Sequence, residues 1–464
     1  MSEVIFSGAC GSVTGSCTYL RWGSTSVLVD CGLYQGDDEL EQRNWRSFAF
    51  QPHELRAVIL THAHLDHTGL LPRLVAEGFK GPIYCSRASR GLVSLILQDA
   101  GHLQEEQARY ARKKGYSLHK SPKPLYTAKD ARKTLKLLQP RPFDHDHEVA
   151  PGVVFRYARA GHLLGAASVE ITAKDSAGRR KTWLFSGDVG RYDAPLLKDP
   201  EPCSRAPHTL ILESTYGDRD HKDSDPPAEF RKTIRRVFAR GGTVVIPAFA
   251  LGRTQEVLYH LAGLVASGDL NPKDVFLDSP MAIKATDLYR QASQEHDQEL
   301  AEMIAREMSG LDADQFNRCQ SVEQSKALNR RRKPAVIVAS SGMATGGRVV
   351  HHLKRLLPDE RNAVVFVGYQ AGGTRGRALV DGAQRVGIHR ETVRVRAEIL
   401  SLHGLSAHGD AEELLRWVDS LPGRPKRIFL NHGEDPARKA LAAELEERGF
   451  PRPILPYTRY TLKW

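Results

Sequence analysis

One short run of this chain brings together more metal-binding side chains than an ordinary turn would hold. Residues 58–60 are apolar and typical of a buried strand, and THAHLDH at 61–67 follows where that strand would leave its sheet. Three imidazoles and one carboxylate within six residues suit zinc, and they are crowded enough to serve two ions. Protonated histidines so close together would repel one another, so a polar turn of hydrogen-bonded histidines is the weaker interpretation. We predict metal binding by His62, His64, Asp66 and His67.

Several other apolar runs along the chain also end in a histidine or a carboxylate. Strand ends that repeatedly present such residues predict one shared site, because the ends of neighbouring parallel strands meet at one edge of a sheet. Asp30 by itself would also fit a turn or a helix cap. The residues concerned are Asp30, His162 and Asp188. Glu213 ends a strand of the α/β stretch that follows, and a metal-binding or catalytic role is predicted for His408 and His432 in the last β-rich stretch, where His432 again ends an apolar strand.

The charge of the chain favours a polyanionic partner. Its formal net charge is +11 and its pI is about 9.3. Eleven Lys or Arg and a single acidic residue, Asp130, lie within residues 109–141. A solvated basic surface without a ligand is the alternative interpretation of this segment.

The cysteines and the hydropathy of the chain indicate the cellular compartment of the protein. The six cysteines are scattered and form no C-x-x-C pair, so we expect reduced thiols rather than disulfides or a thiolate zinc site. No apolar run approaches the ~20 residues of a membrane span, and the N-terminus lacks a basic segment followed by a hydrophobic one. We expect a cytoplasmic protein without membrane contact.

Two helices are predicted between the histidine run and His162. The amphipathic pattern of residues 89–114 predicts a long helix, and TAKDARKTLKLLQP at 127–140 predicts a second one. Most of the basic segment would then lie on or between these helices.

The middle of the chain has a different pattern, typical of a parallel α/β domain. Five apolar runs, TLILES, TVVIPA, DVFLDS, AVIVASS and AVVFVGY, alternate with helical or loop segments from about 209 to 374. The loops AFALGRTQ and SSGMATGGR each precede a helix, where backbone amides bind anions, although glycines there also serve loop geometry alone. The residues predicted to contact a phosphate backbone are Arg253, Ser340, Ser341, Gly342, Thr345 and Arg348.

Together these motifs resemble the metallo-β-lactamase fold and, within it, the β-CASP branch of nucleic-acid nucleases. In pattern the chain is most similar to bacterial and archaeal relatives of the pre-mRNA 3′-end cleavage endonuclease. The first three matching segments resemble the metal-binding series of the fold, and the last three resemble the additional β-CASP motifs. The segments are, in order, HAHLDH (62–67), AGHLLGAAS (160–168), FSGDVGR (185–191), ILESTYG (211–217), LSAHGD (405–410) and NHGE (431–434).

The resemblance implies an α/β protein with an αββα metallo-β-lactamase sandwich. Residues 1–208 and 376–464 would form the sandwich, and residues 209–375 would form an inserted β-CASP cap with a Rossmann-like parallel sheet. Nucleic acid would thread through a cleft between the two.

The resemblance also implies two Zn²⁺ ions, with manganese as the alternative metal. Asp66 would act in catalysis as well as in binding, His408 would be the general acid, and Glu213 would hold the tautomer of His408. The implied ligands are His62, His64 and His162 for one ion and Asp66, His67 and His432 for the other, with Asp188 bridging and Asp30 orienting a ligand histidine.

The implied activity is hydrolysis of single-stranded RNA. A hydroxide between the ions would leave 5′-phosphate and 3′-hydroxyl ends, by internal cuts and, as a further mode, from the 5′ end. A DNA-directed β-CASP nuclease is the first alternative. His432 disfavours it, because RNA-directed members of the family resemble this chain in carrying histidine at this position. A small-molecule (thio)ester hydrolase would need no inserted domain, and a non-catalytic RNA-binding subunit would have degraded metal motifs. A homodimer remains open.

Overall fold

The computed structural model describes residues 2–463, apart from 115–121, 176–177, 221–224, 307, 309–310 and 312–314. The strands are β1 Ser2–Phe6, β2 Thr18–Trp22, β3 Thr25–Val29, β4 Ala57–Ile59, β5 Ile83–Ser86, β6 Leu138–Arg141, β7 His147–Ala150, β8 Val153–Arg159, β9 Ala167–Lys174, β10 Arg180–Phe185, β11 Thr209–Leu212, β12 Val244–Pro247, β13 Val275–Leu277, β14 Asn317–Arg318, β15 Val336–Ala339, β16 Ala363–Phe366, β17 Arg385–Ile388, β18 Glu391–Arg394, β19 Glu398–Ser401, β20 Arg427–Leu430 and β21 Tyr460–Lys463. The helices are α1 Asp38–Arg43, α2 Leu65–Thr68, α3 Leu71–Ala76, α4 Ser89–Lys114, α5 Ala128–Leu135, α6 Pro226–Ala239, α7 Arg253–Ala266, α8 Pro280–Gln291, α9 Gln298–Ala305, α10 Val322–Leu328, α11 Arg348–Leu356, α12 Arg375–Val380, α13 Ala411–Asp419 and α14 Asp435–Glu447.

These elements form two compact units. The first unit comprises Met1–Asp193, Lys198–Asp220 and His408–Trp464, so it is built from both ends of the chain. The second comprises Ala194–Leu197 and His221–Ala407. The inserted arrangement predicted from the sequence is therefore present.

Two sheets form the centre of the first unit. One has the strand order β21-β1-β2-β3-β4-β5-β6 and the other β20-β11-β10-β9-β8-β7. A single buried cluster contains side chains of both sheets, such as Phe6 and Val29 from one and Phe155 and Phe429 from the other. Burying each such side chain contributes roughly 1.5–3 kcal/mol, so this layer between the sheets is the main source of the unit's stability.

Helices cover the outer faces of these sheets. Leu414 and Trp417 of α13 and Leu441 of α14 pack on outward-facing residues of β10, β11 and β20 in a second buried cluster. Helix α4 contacts β5 of the other sheet and also packs against α5. The layers are therefore helix, sheet, sheet and helix, which confirms the αββα prediction.

The parallel strands of this unit end beside residues predicted to bind metal or act in catalysis. Strands β3 to β6 are mutually parallel, and so are β10, β11 and β20. The residues that follow them therefore gather at one edge of each sheet, and Asp30, Asp188, Glu213 and His432 are among these residues. The strand-end positions of these four residues follow from this topology.

The second unit contains a six-stranded sheet in which every pairing is parallel, with the order β14-β13-β15-β12-β16-β19. Its two faces are covered by separate apolar clusters. One face packs against α6, α7 and α8, and the other against α11 and α12. This confirms the parallel α/β cap.

The unit boundaries differ from the prediction of 209 and 375. TLILES was assigned to the second unit, but it contains β11, which pairs with β10 and β20 inside the first unit. Residues 376–407 were assigned to the first unit, but β19 extends the sheet of the second unit by pairing with β16. A buried apolar strand has the same sequence pattern in either sheet, so only its pairing partners decide where it belongs.

Helix α4 covers residues 89–114, as predicted, whereas the second predicted helix ends early. Helix α5 stops at Leu135, and residues 138–141 of the predicted 127–140 helix form β6, which pairs with β5. The basic segment 109–141 spans these elements, and its part at 115–121 lies outside the described residues. All six cysteines are free thiols. Within the described ranges, no helix has both the length and the apolar character needed to cross a bilayer.

Gly32 holds the loop after β3 against helix α2, so we expect Gly32→Ala to destabilise the first unit. A Cβ at this position would lie 1.6 Å from the Asp66 carbonyl oxygen and 2.7 Å from Ser16 N, both backbone atoms. We expect the free energy of unfolding to fall by roughly 1–3 kcal/mol, measured by denaturant titration. Gly263→Ala is the matched control, because its Cβ would meet open space on helix α7. Equal stability of Gly32→Ala and wild type would contradict this account of the loop.

Candidate metal centre

The histidine run divides at the start of helix α2. His62 lies in the loop after β4, His64 is the N-cap residue, and Asp66 and His67 occupy the first turn of the helix. The four side chains therefore point in two directions from one short segment. Each pair needs partners from elsewhere in the chain to form a complete site.

One group of ligand atoms forms around His62 and His64. His64 Nδ1 lies 3.1 Å from His62 Nε2 and 3.2 Å from His162 Nε2. Asp188 Oδ2 completes this group at 3.4 Å from His62 Nε2 and 3.6 Å from His162 Nε2. The ligand atoms of these four residues all lie within 4.8 Å of one another.

A second group forms around Asp66 and His67. His432 Nε2 lies 3.2 Å from His67 Nε2 and 3.3 Å from Asp66 Oδ2. Asp188 faces this group with its other oxygen, because Oδ1 lies 3.3 Å from His67 Nε2. Asp188 therefore directs one carboxylate oxygen toward each group.

The spacing of these atoms fits a bound cation. Ligand atoms ~2.0–2.1 Å from a tetrahedral zinc ion lie ~3.3 Å from one another, which is the spacing found in both groups. Asp188 Oδ1 is buried and receives no well-formed hydrogen bond from the described residues. A buried carboxylate oxygen without a hydrogen bond is costly unless a cation binds it. The nitrogen and carboxylate donors present are those that zinc prefers.

The protonation states also suit metal binding. Burial, reinforced by His67, holds the pKa of His62 well below its usual value, and burial lowers the pKa of His64 to about 4. Burial works against the charged form of Asp188, but His432 and His67 outweigh it and keep the pKa of this carboxyl low. His62 and His64 are therefore in the neutral form that binds a metal ion. Asp188 and Asp30, by contrast, outweigh burial and raise the pKa of His67, which must lose its proton when it binds a metal.

Asp30 contacts the ring of His67. Asp30 Oδ2 lies 2.7 Å from His67 Nδ1, which leaves Nε2 directed at the ligand group. Asp30 is fixed in turn by the Thr61 backbone N–H at 2.8 Å and the Thr61 hydroxyl at 2.8 Å. Sequence reasoning did not identify Thr61, nor Thr215, whose hydroxyl lies 3.2 Å from His432 Nδ1. Their position beside predicted ligands at strand ends was the available signal.

Glu213 and His408 form a pair next to the two groups. His408 Nδ1 lies 3.1 Å from each oxygen of Glu213, which also accepts the Val189 backbone N–H at 2.7 Å. His408 Nε2 lies 3.9 Å from Asp188 Oδ2. Burial disfavours the protonated imidazole, but the Glu213 carboxylate outweighs it and raises the pKa of His408 to about 9. A ring held in this way is able to donate a proton from Nε2 near neutral pH.

The residues predicted to contact phosphate lie in the second unit and divide into two sets. Ser340, Ser341, Gly342 and Thr345 lie in the loop between β15 and α11, where the Ser341 hydroxyl accepts the Thr345 backbone N–H at 3.2 Å. Arg253 and Arg348 are instead engaged within the protein. Their predicted phosphate contact is therefore not supported by the positions of their guanidinium groups.

The arginine partners explain this difference. Arg253 is buried and pairs with Glu256 on the same helix. Arg348 Nη1 lies 2.7 Å from Asp278 Oδ1, a buried carboxylate that also accepts from Ser325 at 2.6 Å. Each arginine therefore neutralises a carboxylate that the sequence pattern did not associate with it.

An αββα sandwich that gathers histidine and aspartate side chains at its strand ends provides the donor set of a metal-dependent hydrolase. Residues 11–230 match the Metallo-beta-lactamase superfamily, residues 254–379 the Beta-Casp domain and residues 392–455 the Zn-dependent metallo-hydrolase RNA specificity domain. The chain belongs to the β-CASP branch of the metallo-β-lactamase superfamily, which confirms the family expected from its motifs.

Individual relatives agree with this assignment. The chain is 37% identical over 445 residues to Ribonuclease TTHA0252 of Thermus thermophilus, covering 95% of each chain. It is 31% identical over 443 residues to Transcription termination factor FttA of Methanocaldococcus jannaschii, covering 93% of this chain and 67% of the relative. A crystal structure of a protein of unknown function from Enterococcus faecalis aligns over 99% of both chains with a TM-score of 0.54 at 13% identity, which shows a shared fold.

Proposed function

We propose that this chain is a zinc-dependent ribonuclease that hydrolyses phosphodiester bonds of single-stranded RNA and leaves 5′-phosphate and 3′-hydroxyl ends. The match to a Zn-dependent metallo-hydrolase RNA specificity domain and the similarity to a relative named a ribonuclease support the proposal. The observation that carries the proposal is Asp188, which directs one oxygen toward each of two groups of ligands.

His62, His64, His162 and Asp188 would hold one zinc ion, and Asp66, His67, His432 and Asp188 the other. Zinc in such a site acts as a Lewis acid and lowers the pKa of water, so that a nucleophile is available at neutral pH. The protein supplies the positions of the ligands. Asp30 and Thr61 fix the ring of His67, so its Nε2 needs no reorientation before it binds.

His408 would donate the proton that the leaving 3′ oxygen needs. Glu213 accepts from His408 Nδ1, which fixes the tautomer and leaves Nε2 directed at Asp188 and the two ligand groups. The backbone N–H groups of Val189 and Thr215 donate to the Glu213 carboxylate at 2.7 and 3.3 Å. Main-chain atoms therefore position Glu213 and, through it, the general acid His408. General acid catalysis of this kind contributes roughly 10²–10⁴-fold to the rate.

The loop at residues 340–347 in the second unit remains our candidate for binding the RNA backbone. Ser340 Oγ is buried without a hydrogen-bond partner in the described part of the chain, and Gly347 begins helix α11 without a side-chain cap. Amides and hydroxyls in such a loop position a phosphate backbone without reading its sequence.

We expect the protein to cut single-stranded RNA and to leave single-stranded DNA of matched sequence intact, as read from product lengths on a gel. RNA affinity should fall as salt rises, with a logarithmic slope of about −0.7 for each phosphate neutralised. Removing zinc with a chelator should stop cleavage, and adding zinc should restore it. Equal cleavage of DNA would favour the DNA-directed alternative, and salt-independent binding would contradict phosphate contacts.

A further inference from the structure

We propose that the first unit contains a second binding site, a pocket of about 310 Å³ that takes a nucleoside monophosphate. This volume is at the lower end of the ~300–1,000 Å³ typical of small-molecule sites. None of the residues assigned to the metal centre lines this pocket. Its walls include the side chains of Tyr34, Arg43, Arg46, Phe48 and Arg459.

The three arginines make the pocket a site for an anion. No carboxylate is among its lining residues in the described part of the chain. Arg43 pairs with the exposed Glu39 at 3.2 Å through Nη2, but its buried Nε has no hydrogen-bond partner among the described residues. Arg46 is exposed, and Arg459 Nη2 donates to the Ser47 carbonyl oxygen at 3.2 Å. Guanidinium groups with donors to spare are suited to a phosphate.

Aromatic side chains line one side of the pocket. Phe48 is one of them: its ring stacks on Phe50 with centroids 5.3 Å apart, and the Arg73 guanidinium lies over the same ring, 5.0 Å from its centroid. Phe50 in turn stacks on Tyr19 at 5.2 Å. Trp45, which precedes Arg46 in the chain, is 49% exposed. Aromatic rings alternating with arginines are the combination that binds nucleotides without a requirement for sequence.

Hydrogen bonds anchor Tyr34 in the wall of the pocket and join it to Asn44. Asn44 accepts the Tyr34 backbone N–H at 2.8 Å and donates to the Tyr34 carbonyl oxygen at 2.7 Å. The Tyr34 hydroxyl donates to the Ser7 carbonyl oxygen at 2.9 Å, so the ring is fixed at both ends. The segment that carries Arg46 and Phe48 therefore begins from an anchored residue, which lowers the entropy cost of binding.

The same wall is bonded to the helix that carries two of the proposed metal ligands. The Ser16 backbone N–H donates to the Asp66 carbonyl oxygen at 2.7 Å, and Leu33 N–H donates to the Leu65 carbonyl oxygen at 2.8 Å. Ser16 lies between the lining residues Gly15 and Cys17, and Leu33 lies between Gly32 and Tyr34. The pocket wall is thus hydrogen-bonded directly to helix α2. A nucleotide of a bound RNA chain and a free nucleotide would present the same phosphate and base to this pocket.

Titration calorimetry with adenosine monophosphate tests the site directly. We expect wild type to bind it and Arg46→Ala to bind roughly tenfold more weakly, because a charge-assisted contact is lost. Arg46 is exposed, and its side chain makes no hydrogen bond to any described residue, so we expect Arg46→Ala to fold like wild type. Arg452→Ala is the matched control, since Arg452 is 87% exposed and lies outside the pocket. No binding by wild type, or equal binding by all three proteins, would overturn the proposal.

Adding RNA distinguishes the two sources of nucleotide. If the pocket takes a nucleotide of the substrate, an interpretation that rests on the proposed function, adenosine monophosphate will compete with RNA and Arg46→Ala will raise the KM for RNA. If it takes a free nucleotide, both ligands will bind together and the KM will not change. The calorimetric result does not depend on RNA cleavage, so it stands or fails separately from the ribonuclease proposal.

Discussion

Asp188→Asn is expected to reduce the kcat for RNA cleavage by roughly 10³-fold or more, because the several kcal/mol that bound metal contributes to the transition state would be lost. Asparagine keeps the shape of the side chain but replaces one oxygen with an amide nitrogen that repels a cation. Since Asp188 Oδ2 faces one ligand group and Oδ1 the other, whichever oxygen is replaced will weaken one of the two sites. Bound zinc should therefore fall together with activity.

Two measurements check this prediction: the kcat on a labelled RNA and the zinc content by metal analysis. Asp193→Asn is the matched control, because Asp193 is exposed and has a positive φ of 54° that asparagine also tolerates. We expect the zinc content and the activity of the control to equal those of wild type. Wild-type activity and full zinc content in Asp188→Asn would contradict the shared-carboxylate centre.

His408→Ala is expected to lower kcat by roughly 10²–10⁴-fold while zinc content and the KM for RNA stay close to those of wild type. His408 bonds to Glu213 and does not belong to either of the groups assigned to the metal ions. Losing its ring therefore removes the proton donor without removing a metal ligand.

Zinc content distinguishes a general-acid role of His408 from a role as a metal ligand. His408, Asp188 and Glu213 also lie close enough to form a ligand group of their own, and in that case the variant would lose metal. His102→Ala on helix α4 is the control, since His102 is 62% exposed. A His408→Ala protein with two zinc ions and full turnover would exclude the general-acid role.

Much of the first unit was predictable because local pattern and tertiary role agree there. The histidines of THAHLDH directly follow an apolar strand and are more crowded than in an ordinary turn, which predicts metal binding. Helix α4 has an amphipathic pattern with no proline over its whole length. By contrast, β11 is buried at every residue, as a central strand of either sheet would be. Its sheet is decided by β10 and β20, and β20 lies more than 200 residues further along the chain.

The candidate site shows the same limit. His432 lies 366 positions from Asp66, and resemblance to a family, rather than spacing, brought these residues together. Arg348 at the start of a helix has the pattern of a phosphate ligand, but Asp278, 70 positions earlier, neutralises it. Sequence spacing does not reveal such distant partners, so arginines near glycine-rich loops are weak evidence for nucleic-acid contacts.

The most direct test of the central claim is the end chemistry of the RNA fragments, read by mass spectrometry after digestion with metal-analysed protein. Attack of water on phosphorus with the 3′ oxygen as leaving group yields 5′-phosphate and 3′-hydroxyl ends, and we expect these ends and a reaction that stops when zinc is removed. Fragments with 2′,3′-cyclic phosphate ends, or cleavage that persists after zinc is removed, would show that the His/Asp centre is not what cuts the RNA.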